Sequence, residues 1–412
     1  MPDNDLQIPK RTIELDPESI DAPPRGAFVE LGVASCFSFL RGASDAVDLV
    51  LQARALGYDA IGIADANTMA GVVRIHTEAK TLKLKPLIGC RVETVEGLDF
   101  LAYPIDRAAY GRLCRLISAG RMQTLDGEWQ EKGACDISLA MLAAHAEGVQ
   151  LILLPPRDLG AKFAIEVESN IVPFCHPGLD PGSRSSSSAT PEKAGPRLGG
   201  RGDVEKVTMD GSLADILPHI AQQLPTLRHI AAAFLYTDSD IARIERLDAL
   251  AKANGLSILA TNDVHYATPD KRPLQDVMTA IRHKTTVAAA GHLLHGNGER
   301  YLKPPATIVK LFERWPHAIA ATRAVADACN FSLDELQYEY PEEIYPDGQN
   351  PQQFLESETW KGAQWRYPGG LSDSVRQTLE RELALIGKLD LARYFLTIKD
   401  IVDYARGVDP PI

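Results

Sequence analysis

The sequence predicts an α/β protein built on a parallel sheet and followed by a mainly helical region. Between residues 28 and 170, short apolar runs alternate with segments of helical periodicity. Two runs, Ala60–Ala64 and Leu256–Thr261, are mainly apolar and lead into polar residues, as buried parallel strands do. Beyond about residue 300 the strand-like runs give way to helical patterns. The chain therefore combines a βα-alternating domain with a helical segment.

The first βα unit sets the pattern. Phe28–Leu31 suits a strand, and a polar loop follows over Ser35–Ser44. Ser44 is expected to cap the next helix, which carries an apolar stripe. The strand Ala60–Ala64 then ends in Asp65. Because ligands gather at the carboxyl ends of parallel strands, Asp65 is a candidate site residue.

The later segments continue this alternation. Helices are expected at 69–82, 108–118, 139–146, 212–223 and 239–253, and strands at 86–89, 90–95, 100–103, 149–154, 229–235 and 256–261. In the helical region, further helices are expected at 304–314, 317–329, 351–367, 372–389 and 397–406. Strands alternating with helices in this way are typical of βαβ units.

Composition divides the chain into four predicted regions. Residues 1–26 are polar and rich in proline, and are expected to form a disordered tail. The first folded domain is predicted over 27–295, with a disordered insertion at 173–205, because 15 of the 26 residues at 177–202 are Pro, Gly or Ser. Residues 300–412 are predicted to begin a second domain.

Charge and cysteine content narrow the classes of function. The 412-residue chain has a formal net charge of −12, whereas surfaces that grip nucleic acid are usually basic. Its six cysteines form no Cys-x-x-Cys pair, which argues against a zinc cluster and indicates a reduced, cytoplasmic setting. Since no run of 18 apolar residues occurs, no membrane span is expected.

The strongest local candidate for chemistry follows the strand that ends at Thr261. Asp263 and His265 are two residues apart, so on a strand both side chains would point to one side and could reach one metal ion. The alternative is a capping Asp and a His packed at the barrel rim. Asp238 and Asp240 begin a predicted helix, where capping explains them better than a two-metal site.

Two short basic groups are also present. Arg243 and Arg246 lie three residues apart on a predicted helix, and Arg282-His283-Lys284 forms a short basic run. Both groups are too small to indicate a nucleic-acid patch, and we interpret them as solvated faces.

Several motifs in order resemble bacterial C-family DNA polymerases, and most closely the error-prone polymerases related to the polymerase III α subunit. The matching stretches are 37–44, 71–74, 102–107, 132–135, 261–266, 272–277, 302–305 and 331–341. The resemblance covers nearly all of residues 27–406 apart from the inserted loop. It implies a PHP domain, which is a distorted (βα)7 barrel, followed by a mainly helical segment that opens the polymerase domain.

The resemblance also implies that the metal site of the PHP domain is degraded. Active PHP domains carry His-x-His at the end of the first strand, where this chain has Gly32 and Ala34. The second strand usually ends in Asp-His, here Asp65 and Ala66, and an acidic position falls near Arg91. The remaining ligand positions are Asp65, Asp263 and His265, which are too few for a multi-metal cluster. A scaffold without phosphoesterase activity is therefore expected.

The polymerase chemistry of the family lies downstream of the PHP domain and uses palm carboxylates that hold Mg²⁺. The helix at 397–406 resembles the one before a Gly/Ser-rich palm segment, but the sequence then departs from the pattern. We therefore expect a truncated chain that lacks the catalytic palm carboxylates and is inactive alone. DNA and deoxynucleotides are the implied substrates in lesion bypass and damage-induced mutagenesis, with a replication clamp or accessory polymerase factors as partners. The alternative is a stand-alone metal-dependent PHP phosphoesterase or exonuclease.

Overall fold

The computed structural model describes residues 21–168, 206–336 and 348–407. Residues 1–20 of the predicted tail over 1–26 and all of the predicted insertion over 173–205 lie outside the described residues. Two compact units are present, Met1–Glu335 and Leu336–Ile412. The domain boundaries expected from the sequence stay predictions.

The described part of the first unit contains nine strands. They are β1 (Glu30–Val33), β2 (Ala60–Ala66), β3 (Lys85–Glu93), β4 (Asp99–Pro104), β5 (Val149–Leu154), β6 (Lys162–Glu168), β7 (Lys206–Ser212), β8 (Leu227–Ala233) and β9 (Ser257–Thr261). Seven of them form one sheet in the order β1-β2-β3-β4-β5-β8-β9, and β6 and β7 form a separate antiparallel hairpin.

The helices of this unit connect and cover the strands. They are α1 (Ala46–Ala55), α2 (Val72–Thr81), α3 (Arg107–Met122), α4 (Leu139–His145), α5 (Leu213–Gln223), α6 (Asp240–Ala253), α7 (Arg272–Arg282), α8 (Val287–Ala290), α9 (Pro305–Leu311) and α10 (Pro316–Ala328). The mixed α/β class and the barrel-like sheet predicted from the sequence are confirmed.

The two edge strands of the large sheet meet and nearly close it into a barrel. Ala34 N donates to Val264 O at 2.8 Å, and Val264 N donates to Gly32 O at 2.7 Å. Together with the parallel bridge between Val33 and Val264, these bonds join the end of β1 to the segment just after β9. The carboxyl ends of β1, β2 and β9 consequently meet at one mouth of the barrel.

The prediction of a parallel sheet is wrong for β4, which is antiparallel to both β3 and β5. The reason lies in the connection from β3, which is a tight turn instead of a helix. Thr94 N donates to Leu98 O at 2.9 Å, and Gly97 takes a φ of +82°, which costs a glycine little. A helical crossover is needed only between parallel neighbours.

The prediction that Ser44 caps α1 is also wrong. Asp45 is the capping residue, and its Oδ1 accepts a hydrogen bond from Val47 N at 2.9 Å. The hydroxyl of Ser44 instead accepts from Ala267 N at 2.9 Å. Ser44 therefore fastens the loop after β1 to the segment after β9.

Apolar side chains fill the barrel interior, and a tyrosine crosses it. The hydroxyl of Tyr103 on β4 donates to the carbonyl of Leu31 on β1. Gly62 and Gly89 leave room for this ring, because an added Cβ would lie 2.7 Å and 2.4 Å from Tyr103 atoms. Helix α10 packs at the opposite end from the mouth, where Thr322 Oγ1 accepts from Val29 N. The barrel interior is therefore packed, α10 covers one end of the barrel, and the mouth is the other end.

The second unit contains α11 (Pro351–Arg366), α12 (Asp373–Lys388) and α13 (Ala392–Gly407). Their shared core is formed by Leu355, Leu383, Ala392 and Leu396. Asn350 and Gln353 form a capping box at the start of α11. The helices predicted over 351–367, 372–389 and 397–406 are confirmed, although α13 begins five residues earlier than expected.

Candidate functional site at the barrel mouth

Asp65, at the end of β2, is almost completely buried and fully engaged by the loop after β1. Its Oδ1 accepts hydrogen bonds from Ser35 N and Ser38 Oγ, and its Oδ2 accepts from Ser35 Oγ, each at 2.7 Å. Burial raises the pKa of Asp65, and the hydrogen bonds from the two serines offset part of that rise. The carboxylate holds the loop in place and is not part of the cavity wall that contains Asp263 and His265.

Asp263 lies just after β9, and cationic side chains surround its carboxylate. The guanidinium of Arg300 donates to Oδ2. Arg91 Nη1 lies 3.8 Å from Oδ1, and His265 Nε2 lies 3.6 Å from the same oxygen. The Asp263 side chain is 25% exposed, so these charges interact in a partly desolvated setting. Arginine thus occupies the space in which a metal ion would bind this carboxylate.

His265 is buried beside these arginines. Burial and, to a smaller extent, the charges of Arg91, Arg41 and Arg282 lower the pKa of His265 to about 3. Its ring packs edge-on against His295, with centroids 5.1 Å apart. Among the residues that the structure describes, neither ring nitrogen has a hydrogen-bond partner. The imidazole is therefore neutral at pH 7 and retains one donor and one acceptor.

The other positions that the resemblance assigns to metal ligands offer no free donor for a metal ion. An added Cβ at Gly32 would lie 2.4 Å from Thr261 Oγ1, so a histidine would not fit there in this backbone. Ala34 and Ala66 have no donor atoms, and Arg91 forms ion pairs with Asp99 and Glu93. Within residues 21–168, 206–336 and 348–407, no group of three or more His, Cys, Asp or Glu residues could hold a metal ion. The barrel mouth does not fit a PHP-type metal centre.

A cavity of about 920 Å³ opens at this mouth. Asp263, His265 and His295 form part of its wall. The cavity is also lined by six arginines from six separate segments: Arg41, Arg91, Arg157, Arg243, Arg282 and Arg300. This concentration of guanidinium groups stands out in a chain whose formal net charge is −12.

The arginines act on one another and on the histidines. Burial, together with the charges of Arg91, Arg157 and Arg243, lowers the pKa of Arg300 to about 10. Burial likewise lowers the pKa of His295 to about 4, with contributions from His265 and two arginines. Even so, Arg300 stays protonated at neutral pH. The mouth is electropositive and suited to bind an anion.

Comparisons with known proteins agree with this architecture. A model of the PHP domain matches residues 30–169, and a model of the bacterial DNA polymerase III alpha NTPase domain matches residues 353–412. Error-prone DNA polymerases from three bacteria are 36%, 39% and 41% identical to this chain: those of Caulobacter vibrioides, Bradyrhizobium diazoefficiens and Rhodopseudomonas palustris. The alignments cover 94%, 92% and 92% of this chain.

The chain is similar to bacterial error-prone DNA polymerases over most of its length. It spans about 30% of the length of the relatives it matches, namely 30%, 29% and 32% of the three above. A solved amidohydrolase from Chromobacterium violaceum aligns with 58% of this chain and 87% of its own length, at 11% identity and a TM-score of 0.36. None of the helices in the described parts of this polymerase relative has the length and hydropathy of a membrane span.

The sequence placed Asp65, Asp263 and His265 at strand ends, and the structure brings Asp263 and His265 together but not Asp65. The interpretation of Arg243 as part of a solvated face is wrong, because its guanidinium is partly buried and donates to the carbonyls of Pro156 and Arg157. Arg282 also lines the cavity. The alternation of strands and loops in the sequence does not predict that these arginines line one cavity, because they come from segments distant in sequence.

Asp240 is the first residue of α6, but the prediction that Asp238 and Asp240 cap this helix is wrong, because Ser239 is the N-cap residue and no side chain caps the helix. The carboxylate of Asp240 accepts hydrogen bonds from Leu235 N at 2.8 Å, from Thr237 N at 2.9 Å and from the Thr237 hydroxyl. Asp238 is exposed. The two carboxylates therefore do not form a two-metal pair.

Proposed function

We propose that this chain is the PHP-containing part of an error-prone DNA polymerase, which copies DNA from deoxynucleotides during lesion bypass and damage-induced mutagenesis. The observation that carries the proposal is similarity to such polymerases over more than nine-tenths of the chain, across both the PHP and the polymerase segments. In this proposal the barrel is a scaffold, and nucleotidyl transfer takes place in another part of the full-length protein.

The similarity to DNA polymerases supports the use of divalent metal ions by the full-length protein that we propose. The proposed ion is Mg²⁺, held by palm carboxylates outside the barrel, where it would stabilise the charge that develops at the transferred phosphorus. The proposed partners are a DNA template and primer together with a replication clamp or an accessory polymerase factor. A cytoplasmic location is part of the proposal, supported by free thiols at the five cysteines in the described parts of the chain.

We further propose that Asp65, Asp263 and His265 occupy former ligand positions of a PHP centre and hold no metal cluster. The contacts of these residues support this: serine donors engage Asp65, and Arg300 engages Asp263. These contacts also weigh against the alternative of a stand-alone phosphoesterase or exonuclease. Metal analysis of the purified chain, with assays of phosphoester and single-stranded DNA hydrolysis in Mn²⁺, Zn²⁺ or Mg²⁺, is expected to find neither bound metal nor turnover. Hydrolysis that is lost in Asp263→Asn would overturn the scaffold assignment.

A chimera tests the polymerase assignment directly. Residues 27–406 would replace the homologous segment of the Caulobacter vibrioides relative, and Mg²⁺-dependent primer extension would be measured. The parent polymerase is the positive control, and the 412-residue chain alone, expected to be inactive, is the negative control. Extension by the chimera supports the proposal. A chimera that is folded and monodisperse but does not extend a primer contradicts it.

A further inference from the structure

The arginine-lined cavity at the barrel mouth has the features of a ligand site in its own right. We propose that this cavity binds a small molecule bearing a phosphate or polyphosphate group, with guanidinium groups supplying the positive charge that metal ions would otherwise supply. The inference concerns binding alone. It does not depend on the polymerase activity proposed above, and it involves no chemical step.

Two of the arginines have guanidinium groups that are not committed to the protein. Arg157 and Arg282 line the cavity, and neither forms an ion pair with any residue that the structure describes. By contrast, Arg41 binds the carboxylate of Glu93 through two nitrogens, and Arg91 is paired with Asp99. The paired arginines are held in position, whereas Arg157 and Arg282 can turn toward a ligand. Guanidinium groups bind phosphate oxygens bidentately, which suits this ligand class.

His265 provides an independent observation. Its side chain is 9% exposed, lines the cavity, and has no hydrogen-bond partner at either ring nitrogen among the described residues. Buried polar groups are nearly always paired, because an unpaired one loses its hydration without compensation. A ligand oxygen in the cavity would accept the proton of the neutral imidazole. An unpaired imidazole therefore lies in the wall of the same cavity as the free guanidinium groups.

The charges around the cavity favour an anion with more than one negative charge. Six arginines line it, against the carboxylates of Asp99, Asp240 and Asp263 in the wall and that of Glu93, which neutralises Arg41, so two positive charges remain in excess. Hydrogen bonds from Leu235 and Thr237 occupy the Asp240 carboxylate. The positive charge in excess is thus not neutralised by the wall. Phosphate groups carry up to two charges each near neutral pH, so they offset this excess better than a single carboxylate does.

The dimensions and the other wall residues limit the ligand to a small molecule. The volume of about 920 Å³ lies in the range typical of small-molecule sites, about 300–1,000 Å³. Leu154, Leu235 and Leu294 add apolar surface to the wall. A nucleotide combines both requirements, with phosphates for the arginines and an apolar base face for the leucines.

Calorimetric titration of the full chain tests the inference at low ionic strength in the presence of a metal chelator. The probes are inorganic phosphate, dATP, deoxyadenosine, citrate and a 5′-phosphorylated oligonucleotide. We expect saturable binding of dATP and phosphate, no binding of deoxyadenosine, and weakening with added salt. Absence of binding by dATP and phosphate overturns the inference. Equal or tighter binding of citrate, or binding of the oligonucleotide alone, also overturns it.

Substitutions locate the binding in the cavity. Arg282→Ala is expected to weaken dATP binding about tenfold, and the double variant Arg157→Ala with Arg282→Ala further, because each removes a charged hydrogen-bond donor. Arg246→Ala is the matched control, since Arg246 is an exposed arginine on α6 outside the cavity. Thermal unfolding of each variant checks that the barrel stays folded. Equal losses in Arg282→Ala and Arg246→Ala, or unchanged affinity in the double variant, contradict the proposed site.

Discussion

The guanidinium of Arg300 donates to the carboxylate of Asp263 at the mouth of the barrel. Arg300 is largely buried, and its pKa, although lowered by burial to about 10, leaves it charged at neutral pH. The pair therefore consists of two ions removed from much of the solvent. Removing either ion leaves the other poorly compensated.

Asp263→Asn is expected to destabilise the barrel by about 1–3 kcal/mol, less than for a fully buried pair because Asp263 retains some solvent contact. The change keeps the shape of the side chain but removes the charge that Arg300 and Arg91 face. Urea denaturation measures the free energy of unfolding. Asp238→Asn is the control, because Asp238 is exposed before α6. Equal stability of the two variants would contradict the role assigned to Asp263.

Glu30 joins the two strands that close the barrel. Its removal is expected to lower the free energy of unfolding by more than Asp263→Asn does. Its Oε1 accepts from Thr261 Oγ1 at 2.6 Å and from Gly32 N at 2.9 Å, and its Oε2 accepts from Asn262 N at 2.8 Å. Glu30→Ala leaves three buried donors unpaired, and we expect a loss of about 2–4 kcal/mol. Glu30→Gln, which keeps one accepting oxygen, should cost less. A Gln variant at least as unstable as the Ala variant in urea denaturation would refute this interpretation.

The sequence predicted those parts of the site that depend on local pattern. Asp65 and Asp263 follow mainly apolar strands, so their positions at strand ends could be read from the chain. The residues that surround these carboxylates could not be predicted from the sequence. Arg91 and Arg300 reach Asp263 from segments distant in sequence, and only closure of the barrel brings them together. Hydrophobic periodicity reports which face of an element is buried, not which charged side chains meet across a barrel mouth.

The same limit explains the errors in the fold. The strand β4 was expected in a parallel sheet, yet a four-residue turn leaves no room for a crossover helix. Arg243 has the spacing of a solvated helical face, but two backbone carbonyls from the segment after β5 draw its guanidinium to the cavity wall. In both cases the structure was determined by residues outside the element, and not by the sequence pattern within it.

The ion pair between Asp59 and Arg323 should make stability depend on acid pH. Arg323 Nη2 and Nη1 lie 2.7 and 2.9 Å from the two oxygens of Asp59. Burial alone would raise the pKa of Asp59, but hydrogen bonds from Arg323 and Gly26 lower it below the ordinary value of 3.8. A carboxyl whose pKa is lowered in the folded state contributes stability above its unfolded pKa and loses it as the pH falls through the folded value.

The difference in unfolding free energy between the parent chain and Asp59→Asn is therefore expected to be constant between neutral pH and about pH 5, and to shrink below about pH 4. Urea denaturation at a series of pH values measures it. Asp126→Asn, which changes an exposed loop carboxyl, should show no such dependence. If the difference in unfolding free energy between the parent chain and Asp59→Asn stayed unchanged well below pH 4, the ion pair between Asp59 and Arg323 would not be its cause.

Gly42→Ala tests whether the loop after β1 has room for any side chain at its tightest point. An added Cβ would lie 2.0 Å from the carbonyl oxygen of Ser35, an approach to backbone that no rotamer can relieve. The loop must therefore shift, and with it Ser38, which binds Asp65. We expect a loss of about 2 kcal/mol or more in urea denaturation. Gly296→Ala is the control, because a Cβ there meets no atom within 4 Å. Since both substitutions add the same methyl group, equal stabilities would mean that the loop yields at little cost and that the serine contacts to Asp65 are not fixed by its backbone.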